Sequence, residues 1–591
     1  MPAPVVVITV LALFAVGYIY YSRYLATKVY ALDAAYTTPA HSYRDGIDFV
    51  PTNRHIVFAH HFISVAGAAP IVGPAIAVLW GWVPALIWIV VGTIFAAGAH
   101  DFGAIVVSVR HKARSIGTLA SDVVNKRARV LFLLIIFFLV TMVNAVFAII
   151  IAGLFIAQPG SVLPMLVTIP LAIGVGQLIY RRGTAAIVPS IIALVLVYVC
   201  IPLGLQFPIT VDPIANAVGL EPATVWILLL FVYAFFASRL PVWMLLQPRD
   251  YINQQQMLLG LGIIILAVFV TWQNIAAPAI NDVPAGTPPI FPILFITVAC
   301  GAVSGFHSLV ASGTTSKQLD KETDARYVGY MGVLGEGTLA LCSIMAVTVG
   351  LTLFASNPTA EWHARYPDWT TAGTDAPGRF AEGVGNFTAA LLPFLERDTG
   401  MAIGTVFGAV VVISFAITTL DTSVRLHRYV IQEIADILRW KLIARNITLA
   451  TLIAIALPFA LAMAPGDFAL GTLWRLFGTT NQLTAGLALA VIAVWVTKNR
   501  RNPIMVIIPL VFLVIMTTWA LVTQAIEFLT SPEPIDAFVL GPLDLIILGL
   551  AIWLMVEAAI ALVRAWSTRD AAPTATEDAR PVDKAAEPGE S

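Results

Sequence analysis

Charge is scarce in this chain. Of its 591 residues, only 11% are Asp, Glu, Lys or Arg, whereas 59% are hydrophobic and the mean hydropathy is +0.88. Water-soluble proteins carry about 25% charged residues, because every domain presents a polar exterior. The scarcity therefore excludes a cytosolic enzyme and a disordered protein, and it predicts that lipid surrounds the protein.

Cysteines and catalytic motifs are lacking as well. Cys200, Cys300 and Cys342 are the only cysteines; all fall in apolar stretches, and none are spaced as zinc ligands. The sequence has no phosphate-binding loop and neither of the motifs HExxH and GxSxG. We therefore expect neither ATP hydrolysis nor a catalytic centre, and no cofactor, resident metal or nucleic-acid partner.

Long apolar runs make up most of the chain instead. A transmembrane helix needs about 20 mainly apolar residues. Fifteen stretches meet this need, centred near Ala12, Val72, Ile94, Phe147, Val167, Leu194, Leu230, Ile265, Ala302, Met345, Val411, Ile455, Ala485, Phe512 and Ala551. The sequence therefore predicts an all-α polytopic membrane protein with about 15 transmembrane helices.

The basic residues predict an orientation. Alternate loops, with the C-terminal tail, hold 29 of the 33 Lys and Arg residues, and the opposite loops hold only Arg365, Arg379, Arg397 and Arg475. Cytoplasmic loops carry the excess of basic residues in membrane proteins. We therefore expect the N-terminus outside and the C-terminus in the cytoplasm, with an odd number of crossings.

Glycine and proline interrupt two of the spans. Residues 67–74, in the span at Val72, contain two glycines and two prolines, and Arg239 and Pro241 interrupt the span at Leu230. A helix broken within the membrane persists only beside protein or water. The alternative is that Gly and Pro merely kink these helices and let neighbours approach closely.

The positions of the two interruptions favour a transporter. If the span at Val72 is the first of ten, the span at Leu230 is the sixth and enters from the opposite side, as in a five-plus-five inverted repeat. The organisation then comprises an N-terminal transmembrane helix (1–22), a cytoplasmic segment (23–54), a first five-helix repeat (55–205), a second, inverted repeat (223–420) with an external loop (357–399), C-terminal transmembrane helices (446–564) and a disordered cytoplasmic tail (565–591).

A glycine-rich helix end with hydroxyl groups follows in the eighth of these ten spans. Residues 299–308 carry Ser304 and His307, and Ser312, Thr314 and Thr315 come next. Either these hydroxyls join freed carbonyls of the first span to hold a coupling cation, or they bond their own backbone at an ordinary helix end.

Acidic side chains within spans are functional hypotheses by default, because charge in hydrocarbon is costly. Asp101 and Glu336 either relay a coupling proton or pair with a loop arginine. For Asp421, which ends the tenth span beside Arg425 and Arg428, structural pairing is the better interpretation.

Basic side chains leave alternatives open too. His60 and His61 point about 100° apart on a helix, so we expect one to face a cavity and the other a neighbouring helix, unless both lie at the membrane edge. Arg239 suits a two-pronged clamp for a substrate carboxylate, although it also fits the anchor pattern of cytoplasmic arginines.

Four segments resemble signatures of the carbon starvation protein A (CstA) family. They are RHIVFAHHF at 54–62 with AGAAPIVGP at 66–74, ACGAVSGFHS at 299–308 with SGTT at 312–315, TLDT at 419–422 with Arg425 and Arg428, and LWRLFGTTNQL at 473–483. The likeness runs from about residue 54 to about residue 496. One departure is that the family's GAGP is GAAP at 67–70 here, beside the expected break.

The resemblance implies a transporter of the bacterial inner (cytoplasmic) membrane that is induced by carbon starvation. Members are described as importers of peptides or of pyruvate, driven by an ion gradient. The family is grouped with transporters that have the five-plus-five (LeuT-like, APC-type) core, here with one extra N-terminal helix and additional C-terminal helices. This agrees with the positions of the interrupted spans.

The sequence therefore predicts a symporter, not an enzyme, that imports a small carboxylate nutrient with H⁺ or Na⁺. Its predicted substrate-binding residues are His61, Gly67, Ala68, Pro70, Gly73, Ser238, Arg239, Ser304 and His307; its predicted coupling-ion residues are Ser312, Thr314, Thr315, Asp101 and Glu336. The alternatives are a membrane nutrient sensor that binds without transport, an intramembrane enzyme, and a channel.

Overall fold

The computed structural model describes residues 1–46, 48–464, 473–533 and 536–567. These residues form helices and no β-strand, with only three isolated bridges. Eleven helices in them are long and apolar enough to cross a membrane, or up to thirteen if each of two bent pairs is one span. The expectation of a disordered tail concerns residues that lie mostly outside this range.

The helices of the first half are α1 (Ala3–Val29), α2 (Arg54–Ala66), α3 (Ala69–Trp80), α4 (Trp82–Arg110), α5 (Ile116–Val123), α6 (Lys126–Ala157), α7 (Val162–Arg182), α8 (Ile187–Gln206), α9 (Asp212–Val218), α10 (Pro222–Ala237) and α11 (Leu246–Thr271). A single turn, Pro39–Ser42, lies between α1 and α2.

The second half contains α12 (Ile290–Thr297), α13 (Ala299–Ala302), α14 (Gly305–Gly313), α15 (Arg326–Thr352), α16 (Pro358–Arg365), α17 (Trp369–Thr374), α18 (Ala376–Leu391), α19 (Arg397–Ile437), α20 (Lys441–Arg445), α21 (Ile447–Ala462), α22 (Leu473–Lys498), α23 (Ile504–Thr530) and α24 (Asp536–Ser567). Two of the fifteen predicted stretches are too short to count as single spans here: α21, and the segment divided into α12, α13 and α14.

The first expected break is present. α2 ends at Ala66, and the φ of 54° and ψ of −158° of the next residue, Gly67, are open in practice only to glycine. The chain resumes in α3 with Pro70 in its first turn. The two helices meet at an angle of 44°. Glycine and proline at these positions thus end one helix and begin the next within three residues.

The second broken segment is the one formed by α12, α13 and α14. Val303 and Ser304 are extended between α13 and α14, and Val298 separates α12 from α13. α13 packs directly on α3. A Cβ on Gly73 of α3 would lie 2.4 Å from the carbonyl oxygen of Thr297, so the two broken segments are in backbone contact.

The expected interruption at Arg239 and Pro241 is not a break within a span, and that prediction is wrong. α10 runs without interruption from Pro222 to Ala237, and the residues in question form the turn that leads to α11. α10 is about 24 Å long where it ends, and Pro241, which disfavours helix at the residue before it, keeps the chain from continuing as a helix through this turn. α10 packs on α6, α19 and α21 rather than on α2 or α3.

Burial separates a core from a lipid-facing rim. The apolar stretch of α22 is entirely buried and those of α15 and α19 mostly so, whereas α8 and α24 expose most of theirs. An apolar helix that exposes its side chains needs lipid around it. The broken segments lie among α6, α15, α19 and α22 in this core. The five-plus-five repeat stays a prediction, now without the positional support of the sixth span.

Candidate functional site

The gap between α2 and α3 faces two long core helices. A Cβ on Gly67 would lie 3.0 Å from Thr419 Oγ1 of α19 and 3.1 Å from the Phe147 ring of α6. Helix ends leave backbone groups without intrahelical partners. The break therefore brings free backbone groups next to side chains of α6 and α19 in the middle of the core.

Four buried polar atoms lie on the turns around this gap without a hydrogen-bond partner among the described residues. They are Ser64 Oγ, Thr419 Oγ1, Thr422 Oγ1 and Asn144 Nδ2. The other amide atom of Asn144 accepts a hydrogen bond from Ser423. Buried polar groups are nearly always paired, so this set marks a place for a polar ligand or water.

Next to the gap, a buried ionic network joins three helices. His307 of α14 lies between two carboxylates: its Nδ1 is 2.8 Å from Asp101 Oδ2 of α4, and its Nε2 is 3.4 Å from Glu336 Oε1 of α15. His100 Nδ1 is 2.6 Å from the second oxygen of Asp101. All four side chains are buried. We call these residues the His307 network.

The His307 network contains no permanent cation. Among the described residues, Asp101 and Glu336 have only histidines within ion-pair distance. Isolated buried charge is expensive. Two carboxylates around one bridging imidazole therefore approach neutrality only by taking up protons, which makes this a group whose charge changes with proton binding.

His61 connects the network to the broken helix. Its Nδ1 is 2.9 Å from Thr315 Oγ1, and its ring lies against Gly332 of α15, one helical turn before Glu336. Its Nε2 has no partner among the residues that the structure describes. The side chain of His61 thus connects the broken helix α2 to α15, the helix that carries Glu336.

A second buried ionic group lies on the other side of α2. Arg249 of α11 binds both carboxylate oxygens of Asp421 of α19, at 2.5 and 3.1 Å, and the Tyr233 hydroxyl donates to the same carboxylate at 2.9 Å. Asp250 lies 2.7 Å from His60 Nδ1 of α2. Four of the five side chains are buried, and Tyr233 is partly buried. We call them the Arg249 cluster.

The structure places the predicted substrate residues in two regions. Gly67, Ala68, Pro70, Gly73, His61, Ser304 and His307 lie at the two broken segments. Ser304 is held there by Asn481 of α22 at 3.1 Å. Ser238 and Arg239 lie apart, at the end of α10; Arg239 is exposed and covers the ring of Phe235 at 4.9 Å.

The hydroxyls predicted to hold a cation are largely bonded to their own helix. Ser312 and Thr314 donate to the carbonyls of Ser308 and Val310, at 2.6 and 3.0 Å. This is the alternative that the sequence left open. Thr315 bonds His61 instead, so of this set it is the one connected to the broken helix.

Sequence reasoning missed Arg249 and Asp250. The count of basic residues by loop places Arg249 among the loop arginines, and the sequence pairs Asp421 with Arg425 and Arg428. In the structure, Arg425 Nη2 donates to the carbonyl oxygen of Leu240 and Arg428 Nη1 to that of Ser238. A polar run at 247–256 inside a long apolar helix was the available signal.

Two cavities flank the gap along α6 and α19. One, of about 640 Å³, is lined by Gly153 of α6, Thr405 of α19 and the segment 364–382. The other, of about 310 Å³, is lined by Leu133 of α6 and by Leu426 and Glu433 of α19. Phe147 and Thr419 lie between these positions on both helices. The gap therefore separates two cavities at opposite ends of the core.

The chain is similar in sequence to one protein family and to curated transporters that bear the same or related names. The model of the family described as carbon starvation protein CstA matches residues 2–366 and 366–520. The peptide transporter CstA of Bacillus subtilis (strain 168) is 30% identical over 96% of this chain and 98% of its own length. The pyruvate/proton symporter BtsT of Escherichia coli (strain K12) is 31% identical over 89% of this chain and 82% of its own length.

A further curated relative is the peptide transporter CstA of Campylobacter jejuni, 32% identical over 87% of this chain and 79% of its own length. Among solved structures, a mutant of the Eremococcus coleocola manganese transporter matches 88% of this chain and 99% of its own at 10% identity, with a TM-score of 0.49. The curated relatives are transporters rather than enzymes. Together with the apolar helices, they identify a multi-pass membrane protein.

Proposed function

Because the chain belongs to the carbon starvation protein CstA family, we propose that it is a secondary active transporter that imports a small carboxylate nutrient, a short peptide or pyruvate, together with a proton. The relatives named as peptide transporters and as a pyruvate/proton symporter support the two substrate classes. The inner membrane is the location that the family resemblance implies, and the distribution of basic residues supports an N-terminus outside.

One observation supports the proton as the coupling ion. In the His307 network, Asp101 and Glu336 lie on either side of one buried imidazole, on three different helices. Ionisable residues inside a membrane core mark ion pathways by default. The network has proton-binding groups and, among the described residues, no fixed cation to replace a proton. The proton is therefore the proposed coupling ion, rather than Na⁺.

The mechanism follows from the position of the network. Substrate binds at the gap between α2 and α3, where the four unpartnered polar atoms lie. His61, between that gap and the Glu336 helix, transmits protonation of the network to α2. Transport then requires that proton and substrate bind the outward-open and inward-open states with different affinities, since only differential binding shifts such an equilibrium. No covalent step is involved.

Uptake into proteoliposomes tests this proposal. Labelled pyruvate and labelled dialanine are offered with an inward proton gradient, in sodium medium and in medium where choline replaces sodium. We expect one of the two to accumulate in both media, and accumulation to cease when the pH gradient is removed. Uptake that requires sodium and ignores the pH gradient contradicts proton coupling. Binding without accumulation of either substrate contradicts transport and favours the sensor.

A pair of matched variants locates the coupling. Asp101→Asn removes a charge from the His307 network, whereas Asp398→Asn removes one from an exposed carboxylate at the start of α19. We expect D101N to lose acceleration by the pH gradient and D398N to keep it. Equal responses of both variants to the gradient place the coupling site elsewhere.

A further inference from the structure

The larger of the two cavities is built by the 357–399 loop region and contains an unusual arginine. Arg379 of α18 lines this cavity, together with Gln158 at the end of α6, Thr374 and Thr405. Its side chain is 94% buried. Along α19, Thr405 is about 21 Å from Thr419, so this cavity is separate from the gap between α2 and α3.

Arg379 is incompletely neutralised. Its Nη2 reaches Asp375 at 3.4 Å, and that carboxylate is 58% exposed. Its Nη1 is buried and has no hydrogen-bond partner among the described residues. A buried guanidinium normally has its donors filled. Arg379 therefore has one buried donor without a partner, and a single exposed carboxylate balances its charge.

The neighbouring arginine, Arg365, has carboxylate partners that Arg379 lacks. Arg365 of α16 makes two hydrogen bonds to Glu382, at 3.0 and 2.9 Å, and one to Glu361 at 3.0 Å. Its charge is matched twice over. The electrostatic attraction for an anion in this cavity thus resides at Arg379.

Two aromatic residues connect Arg379 to α3, the helix that follows the break. Its guanidinium lies over the ring of Tyr366 at 4.4 Å, and that ring stacks on Trp362 at 4.8 Å. The Tyr366 hydroxyl donates to the carbonyl of Ala75 in α3 at 2.9 Å. Burial raises the pKa of Tyr366 to about 12, so the phenol remains a donor. Arg379 is thereby fixed with respect to α3, which forms one side of the gap.

We propose that this cavity is a second binding site, on the outer face, where Arg379 captures the carboxylate of the solute before it reaches the gap. A guanidinium can bind a carboxylate through two parallel hydrogen bonds. The volume of about 640 Å³ lies in the range of small-molecule pockets, which is about 300–1,000 Å³. The inference rests on the proposed function for the identity of the solute, for the outward orientation of this face and for the gap as the next binding site.

A thiol-labelling experiment reports on this site without transport. Thr374 lines the cavity and is exposed, so Thr374→Cys provides a reporter thiol, in a background where Cys200→Ser removes the partly exposed native cysteine. The reagents are an anionic and a cationic methanethiosulfonate. Pyruvate, dialanine and, as a control without carboxylate, dialanine amide are the competitors.

We expect labelling by the anionic reagent to slow about tenfold when Arg379→Gln is added, and labelling by the cationic reagent not to slow. Pyruvate, dialanine or both protect the thiol in the Arg379 protein, the amide does not, and R379Q abolishes the protection. Arg379→Lys keeps the positive charge but lacks the two-pronged guanidinium, so we expect it to retain part of the protection. Arg397→Gln, an exposed arginine outside the cavity, leaves both properties unchanged.

The outcomes separate the two claims. Protection by neither carboxylate, or protection that survives in R379Q, overturns the outer site even if uptake proceeds. Protection that depends on Arg379 supports the site, and the solute that protects the thiol is identified as the ligand of that site. Arg379-dependent protection in a protein that accumulates nothing upholds the site and contradicts the proposed transport.

Discussion

The two buried ionic groups on either side of α2 differ in what balances their carboxylates. In the Arg249 cluster, Asp421 is bound by both Nη atoms of an arginine and by a tyrosine hydroxyl. In the His307 network, Asp101 and Glu336 have only imidazole between them. Arginine keeps its charge at all accessible pH values, whereas imidazole titrates near neutrality in water.

This difference assigns the two groups different tasks. A carboxylate that is paired with a permanent cation has a fixed charge and fixes the helices that carry it. Carboxylates around an imidazole change charge whenever a proton arrives or leaves. The Arg249 cluster therefore holds α10, α11 and α19 together, while the His307 network couples α4, α14 and α15 to the proton gradient.

The largest expected effect is the loss of the fixed pair. Arg249→Gln leaves Asp421 buried without its cation, and only the Tyr233 hydroxyl still bonds it, which costs about 3–5 kcal/mol of the free energy of unfolding. We expect this variant to unfold at much lower temperature in detergent, as followed by thermal denaturation. R397Q, which removes an exposed arginine, is the control and shifts stability by no more than about 0.5 kcal/mol. If R249Q were as stable as R397Q, the Arg249 cluster would not be what holds these helices together.

The next effect concerns coupling. Glu336→Gln keeps the size of the side chain but fixes it as neutral, so the His307 network loses one proton-binding group. A gradient of one pH unit sustains about tenfold accumulation when one proton is coupled. We expect E336Q to exchange substrate across the membrane while accumulating none of it. A variant that accumulates substrate normally would show that Glu336 lies outside the proton path.

The two carboxylate-bound histidines sharpen the contrast further. His60→Gln weakens the bond to Asp250 and costs about 1–3 kcal/mol of stability, since a buried carboxylate loses part of its pairing. His307→Gln is expected to cost at least as much stability as His60→Gln and, in addition, to abolish the response of uptake to pH. Thermal unfolding and pH-driven uptake are measured on both proteins. The reverse assignment, with H60Q uncoupled and H307Q coupled, would exchange the two tasks.

The smallest effect belongs to Tyr233. Tyr233→Phe removes one hydrogen bond to Asp421 but leaves both bonds from Arg249, so the expected loss of stability is about 0.5–1.5 kcal/mol. Transport kinetics are expected to remain unchanged. A comparison of unfolding temperature and uptake with those of the unsubstituted protein checks both statements. A strong loss of uptake at unchanged stability would mean that the Arg249 cluster takes part in transport.

Local sequence signals predicted local structure well. Glycine and proline at 67–70 predicted a break because backbone conformation there depends on those residues themselves. The same kind of signal misled at Arg239 and Pro241. Proline can end or kink a helix at any depth, and only the starting point of α10 shows that this helix ends at the edge of a span rather than in its middle.

Long-range pairing was beyond the sequence. Asp101 and Glu336 were singled out by their cost in hydrocarbon and His307 by its place on a glycine-rich helix end, but 206 residues separate Asp101 from His307. Only the packing of α14 against α4 and the approach of His307 to Glu336 of α15 bring the three together. Arg249 was hidden for the opposite reason. Counting basic residues by loop assigns every arginine near a helix end to the interface, whether or not it is buried.

The central claim is that the His307 network carries the proton that drives uptake. Proteoliposomes loaded with a pH-sensitive dye, with no gradient imposed at the start, report proton entry directly when substrate is added outside. The account predicts acidification of the lumen with the unsubstituted protein and none with E336Q, although both exchange labelled substrate. Equal acidification in the two proteins, or substrate entry without any acidification in either, would contradict it.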